Sequence, residues 1–268
     1  MENFKKYPLL LPLIICTAIT LILGMILILP ERSDGEETEI PSETSPFEET
    51  RPPVMENPIF KTDLSAYEPY MDVAAGSYLM LVNKENTIDE SHEPADLVSV
   101  KDTYKDIKLC RTAEMALEAM FIEMRAAGFD DVFVTSAYRS YSYQSGLFNN
   151  YIDEERAKDS TLSYAEAREL VLRYSAAPGT SEHQTGLCVD LMTKNMSTLD
   201  QTFAQHRVYA WLLENAWKFG FILRFPADKT DITGYDFEPW HYRFVGRYDA
   251  YKMWKNNLCL EEYLEETP

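Results

Sequence analysis

The sequence predicts an α+β domain with a mostly antiparallel sheet and flanking helices, carrying a mononuclear zinc site and preceded by one transmembrane helix and a disordered tether. Three observations lead there. Residues 7–29 contain no charged residue, whereas residues 31–60 are acidic and proline-rich. Beyond residue 60, strand-like and helix-like segments alternate irregularly, without the even rhythm of βαβ units. The chain has only 4 histidines in 268 residues, and two of them, His183 and His241, sit in short turn-rich segments beside acidic residues.

The apolar run follows Lys5 and Lys6 and covers 23 residues from Tyr7 to Leu29. About 20 residues suffice to cross a bilayer core. A cleaved signal has a shorter apolar core, ~7–15 residues, and a small-x-small cleavage site. Here the run ends at Leu29-Pro30-Glu31, and bulky Ile15 precedes Cys16 where a lipoprotein cleavage box wants a small residue. Residues 1–30 are therefore expected to be an uncleaved anchor in the lipid bilayer. Lysines before the span and acids after it leave the N-terminus cytoplasmic and the rest outside.

Residues 31–60 hold nine acidic residues, two arginines and five prolines. Such a stretch buries too little apolar surface to offset its ordering entropy and reads as an extended linker. Residues 61–268 are long enough for one domain with a real core. The net charge of −19 argues against nucleic acid or an anionic lipid surface as partner. With Cys16 in the span, Cys110, Cys188 and Cys259 remain, so this is no disulfide-built scaffold; a Cys110–Cys259 bridge stays open.

Within the domain, residues 78–82 read as a short buried strand. Residues 113–127 form a helix with Leu117, Met120, Phe121 and Met124 on one face and Gly128 as its stop. Residues 131–136 are β-rich and lead into Ala137-Tyr138-Arg139-Ser140, after which a helix covers 141–157. Another helix begins after Ser163, where Glu166 completes a capping box, and runs to about Tyr174. Pro178-Gly179 breaks the chain before His183. Residues 187–192 read as a strand carrying Asp190. A helix over 201–219 buries Phe203, Val208, Leu212, Ala216 and Phe219 and stops at Gly220. The strands 221–225 and 240–245 and a terminal helix over 247–255 complete the chain.

His183 and Asp190 lie seven positions apart, from a loop into a strand, and His241 would arrive from a neighbouring strand. Two histidines and one aspartate are the three-ligand set of a catalytic zinc whose fourth position stays open for water. Glu238, three residues before His241, is of the type that takes that water's proton. Pro239 holds Glu238 extended, so this is not the helical His-Glu-x-x-His arrangement. Cys188 shares a strand face with Asp190, from which it could reach a metal, but it reads first as a small buried hydrophobe. His92 and His206 lack an acidic or cysteine cluster and read as structural or surface residues. Together these features point to a zinc hydrolase.

Ser136-Ala137-Tyr138-Arg139-Ser140 with Gln144, Pro178-Gly179-Thr180-Ser181-Glu182-His183-Gln184-Thr185-Gly186 to Asp190, Gly220 to Pro226, Thr233-Gly234-Tyr235, and Glu238-Pro239-Trp240-His241-Tyr242-Arg243 closely resemble the VanY-type D-alanyl-D-alanine carboxypeptidases. The resemblance runs from about residue 78 to 248, in the family's order. Ala137 stands where the family commonly has glycine, and Cys188 where alanine is usual. The resemblance implies a zinc peptidase of the bacterial envelope, with one Zn²⁺ per chain, acting on a peptidoglycan stem peptide ending in D-alanine. It makes His183, Asp190 and His241 the zinc ligands and Glu238 the general base. It places Arg139 at the scissile carbonyl, and Gln144 and Ser181 along the substrate pocket. Arg139 could equally hold the terminal carboxylate of the peptide. Two other readings stay open: the same metal centre acting as an L,D-carboxypeptidase or endopeptidase, and an idle module that binds wall peptides without cutting them.

Overall fold

The computed structural model describes residues 57–266. The expected anchor and nearly all of the expected linker lie outside these residues. Among the described residues, no helix is long and apolar enough to cross a membrane.

A four-residue helix, α1 (Glu68–Met71), is followed by a small antiparallel pair, β1 (Leu97–Ser99) and β2 (Lys108–Cys110). Strands of three residues carry too short an alternation to be read from sequence. Helix α2 (Arg111–Ala126) starts directly after β2 and buries Leu117, Met120, Phe121 and Met124 as expected. Beyond it, Gly128 takes a φ of +89°, which non-glycine residues rarely adopt.

The main sheet comprises β3 (Val132–Ser136), β4 (Cys188–Thr193), β5 (Phe221–Leu223) and β6 (His241–Phe244). Its order is β3-β4-β6-β5, with every pairing antiparallel. Every residue of β4 is buried, so the strand is covered on both faces. Val189 and Leu191, with Tyr242 and Phe244 of β6, join Leu117, Met120 and Phe121 of α2 in the largest core cluster. Because side chains alternate along a strand, Cys188, Asp190, His241 and Arg243 share the other face. A one-residue slip would drive Asp190 into the apolar core, which specifies the register strongly.

Helix α3 (Tyr141–Lys158) is capped by Ser140 Oγ, which accepts from the Tyr143 amide. Helix α4 (Tyr164–Val171) begins with the expected Ser163–Glu166 capping box. The two pack through Phe148, Ile152, Ala167 and Val171.

Several expectations need correction. Residues 78–82 form no strand: the carbonyls of Tyr78 and Met80 accept from the Arg243 guanidinium instead of from a neighbouring strand. The helix expected over 201–219 is three pieces, a 3₁₀ turn (Gln201–Gln205), α5 (Arg207–Asn215) and a second 3₁₀ turn (Ala216–Phe219). His206 interrupts it with an extended ψ of 142°. The apolar face is nonetheless as expected, with Phe203, Val208, Leu212, Ala216 and Phe219 all buried. After α6 (Thr230–Thr233), helix α7 (Arg247–Asn256) does not end the domain; α8 (Leu260–Glu266) follows and buries Leu260 and Tyr263. Its start has a local signal, since the Glu262 carboxylate accepts from the Cys259 amide three residues earlier. Cys110, Cys188 and Cys259 are all free, so the Cys110–Cys259 bridge does not form.

Candidate metal centre

The β4–β6 register sets Asp190 opposite His241, and Nδ1 of His241 lies 3.0 Å from Asp190 Oδ1. His183 comes from a 3₁₀ turn (Glu182–Thr185) ended by Gly186 at a φ of +66°. A Cβ at Gly186 would meet Cys110 Sγ at 2.9 Å, so the tight reversal into β4 requires glycine. This turn brings His183 Nε2 to 3.3 Å from Asp190 Oδ2. His183 Nδ1–H donates to the Ala137 carbonyl, which leaves the Nε2 lone pair facing the site.

Glu238 lies in the turn before β6, with a carboxylate oxygen 3.7 Å from His241 Nδ1. Burial pushes its carboxyl up to about 7; Asp190 adds to the rise, while His241, His183 and Arg139 oppose it. Burial works against ionised Asp190 too, yet the two imidazoles hold its carboxyl well below the usual range. Arg139 follows an irregularity in β3 between Val134 and Ser136, a kind of distortion that re-aims side chains beside sites. Its guanidinium sits 3.6 Å from Asp190 Oδ2 and donates to Gln144 Oε1 at 2.8 Å. Gln144 in turn donates to the Ala176 carbonyl, so both ends of its amide are engaged within the protein. Ser181 is buried beside His183. His183, Asp190, His241, Glu238, Arg139, Gln144 and Ser181 thus line one cleft of about 460 Å³.

The donors fit zinc. In a tetrahedral shell with ligand distances of ~2.0–2.1 Å, neighbouring ligand atoms stand ~3.3 Å apart. The 3.0 and 3.3 Å separations from Asp190 to the two imidazoles are close to that spacing. Cys188 is buried as expected, but it is more than a core hydrophobe. Its Sγ and ring nitrogens of His183 and His241 all lie within 4.8 Å of one another. Burial would push the thiol up, and the imidazoles hold it down to about 7. Both Cys188 and Asp190 are therefore near enough to be considered as the third donor.

Some contributors escape sequence reasoning. Tyr151 of α3 and Tyr174 after α4 wall the cleft without belonging to any quoted motif, and Tyr235 and Trp240, both in the link between α6 and β6, stand within quoted motifs that gave them no role. Glu182 is buried behind His241, its Oε2 3.5 Å from His241 Nε2. Its place directly before His183 was the available hint. His92 and His206 take no part: the His92 carbonyl accepts from Gln184, and His206 Nδ1 is 3.4 Å from Thr193 Oγ1.

The family model for VanY, D-alanyl-D-alanine carboxypeptidase, matches residues 106–247. A D-alanyl-D-alanine carboxypeptidase of Enterococcus faecalis (strain ATCC 700802 / V583) is 36% identical over 248 residues, which span 92% of this chain and 86% of that protein. A vancomycin-resistance D,D-pentapeptidase VanY from a VanB-type cassette, solved in complex with Zn(II), matches with a TM-score of 0.60 and 37% identity over 70% of this chain and 98% of its own. The LD-carboxypeptidase LdcB matches with a TM-score of 0.62 and 34% identity over 70% of this chain and 86% of its own.

Proposed function

The chain belongs to the VanY D-alanyl-D-alanine carboxypeptidase family, and from that premise we propose that it is a zinc-dependent DD-carboxypeptidase removing the C-terminal D-alanine of peptidoglycan stem peptides. The observation that carries this reading is the convergence of His183 Nε2, Asp190 and His241 Nδ1 within one cleft, with Glu238 and Arg139 beside them.

His183, Asp190 and His241 would hold the metal through two imidazole nitrogens and a carboxylate. Bound zinc supplies Lewis acidity and lowers the pKa of a water towards ~7. Glu238 accepts a proton from the attacking water as the water oxygen joins the carbonyl carbon. When the carbon–nitrogen bond breaks, Glu238 returns the proton to the departing D-alanine amine. Arg139 brings fixed positive charge into the cleft, suited either to the developing oxyanion or to the terminal carboxylate. Gln144 holds that guanidinium in place, and Ser181 contributes to the pocket wall.

The test is to incubate the zinc-loaded full-length chain with a pentapeptide ending in D-alanyl-D-alanine and follow the products by mass spectrometry. Release of one D-alanine is expected. The likeness to LdcB favours one alternative, removal of the D-alanine of a tetrapeptide, which the same assay reads separately. Binding of either peptide without release would instead mark an idle wall-binding module.

The uncharged run from Tyr7 to Leu29 supports a further part of the proposal: residues 1–30 anchor the protein in the bacterial membrane with the N-terminus cytoplasmic. Residues 31–60 then tether residues 61–268 on the cell-wall side. N-terminal sequencing of the mature protein should begin at the native start; a sequence beginning near residue 31, or lipid on Cys16, would overturn the anchor.

A further inference from the structure

Behind the metal site lies a largely buried charge cluster that the reaction itself does not use. Arg224 and Arg243 are completely inaccessible to solvent. Glu182 Oε1 accepts from Arg224 Nε at 2.7 Å and from Arg243 Nη1 at 2.9 Å. The other side of Arg224 is gripped by Glu261 of α8, with Nη1 and Nη2 donating to its two carboxylate oxygens at 2.8 and 2.6 Å. Arg243 spends its remaining donors on the carbonyls of Tyr78, Met80 and Phe244. Two arginines and two glutamates make the cluster neutral.

One oxygen of this cluster faces the site. Glu182 Oε2 and His241 Nε2 are both buried, both lack a closer partner, and stand 3.5 Å apart. For His241 to present a lone pair on Nδ1, its proton must reside on Nε2, and a metal-ligating imidazole almost always donates that proton to a partner such as a carboxylate. With Oε1 clamped by two guanidinium groups, Glu182 has little freedom to move away from the ring.

We propose that α8 is a positioning element of the metal centre, acting from Glu261 through Arg224 and Glu182 on His241. The inference rests on the zinc carboxypeptidase reading and extends it to a helix that lies beyond residue 247, where the family match ends. Two effects run through the chain of contacts. The first is geometric: Glu261 fixes the Arg224 fork, which fixes the Glu182 carboxylate that orients the His241 ring. The second is electrostatic: without the Glu261 charge, the buried cluster carries an uncompensated positive charge close to a site built for a dication. Both effects weaken metal binding. Helix α8 is itself well fastened, with Leu260 and Tyr263 buried against Trp217, Ile222, Val245 and Met253.

The test compares zinc affinity, by competition with a chromophoric chelator, and the electronic spectrum of the Co(II)-substituted protein, using full-length Glu182→Gln, Glu261→Gln and His241→Ala. Glu182→Gln should lower zinc affinity by about 10–100-fold, as is typical for a residue that orients a metal ligand. Glu261→Gln should lower it by a smaller factor, and both should shift the Co(II) ligand-field bands. Should Glu261→Gln fail to fold, Glu261→Asp keeps the charge while drawing the carboxylate back, and a smaller decrease with a spectral shift is expected from the geometric effect alone. Wild-type affinity and an unchanged Co(II) spectrum in the folded Glu182 and Glu261 variants would overturn the proposal, whatever happens to their melting temperatures. If His241→Ala keeps wild-type zinc affinity, the ligand assignment beneath the proposal is what fails. Neither readout involves peptide, so D-alanine release remains an independent test of the function.

Discussion

Asp190 and His241 face each other directly across β4 and β6, with Oδ1 of one 3.0 Å from Nδ1 of the other. Backbone hydrogen bonding in the middle of a buried sheet sets this separation, so two of the three proposed zinc ligands are pre-positioned before metal arrives. His183 alone is delivered by a loop, and the carbonyl of Ala137 holds its ring. A site fixed in this way has little reorganisation to undergo when its charge changes.

The role of Glu238 separates catalysis from metal binding. Glu238→Gln preserves size and removes proton-accepting capacity, so zinc should stay bound while hydrolysis falls by about 10²–10⁴-fold. His183→Ala and His241→Ala should lose zinc and activity together. Near wild-type D-alanine release by the Glu238→Gln protein would show that another group takes the proton.

Cys188 offers a check on the third ligand. With Asp190 at 3.3 and 3.0 Å from the two imidazoles as the proposed ligand, Cys188→Ala should keep zinc, and the Co(II)-substituted wild type should lack a thiolate-to-metal charge-transfer band. Asp190→Ala should lose the metal. A thiolate band that disappears in Cys188→Ala would instead place sulfur in the coordination shell.

Gln144 is expected to act on substrate through Arg139. Gln144→Ala removes the 2.8 Å hydrogen bond that aims the guanidinium and leaves all proposed ligands untouched. The expected result is a fall in kcat/KM of about tenfold, worth ~1.4 kcal/mol, at unchanged zinc affinity. Unaltered kinetics would reduce Gln144 to a packing residue.

Glu114 on α2 supplies a pH test away from the site. Burial, aided by the charge of Glu118, raises its carboxyl above the ordinary 4.5, against the pull of Lys101. Its contribution to stability is therefore fully present below about pH 4.5 and is lost as the pH rises through the raised value. Glu114→Gln, neutral throughout, should melt higher than wild type at pH 7, and the advantage should vanish near pH 4. The same difference in melting temperature at both pH values would contradict this.

Legibility in the sequence followed the length and regularity of each signal. Helix α2 is visible because its apolar positions repeat over sixteen residues, and α4 because its capping box is a local chemical contact. The hairpin β1–β2 and helix α8 are too short for periodicity to register. Residues 78–82 have the composition of a buried strand, and only the arrival of Arg243 from 163 positions away at Met80 decides that their carbonyls meet a side chain. His183, Asp190, His241 and Glu238 stand out by residue type and spacing, whereas Arg139, Gln144 and Ser181 come only from the family resemblance; all seven line the one cleft.

The sequence by itself determined the residue types of the centre, the α+β class and the division into an uncharged N-terminal run, an acidic segment and a domain. Tertiary structure decided which atoms meet: that Asp190 opposes His241, that Cys188 comes near both imidazoles, and that Glu182 and Glu261 stand behind the site. The reason is physical. Propensity, capping and hydrophobic period act over a few residues and leave a readable trace, whereas a cross-strand register or a buried charge network exists only once segments 37 to 61 positions apart have packed together.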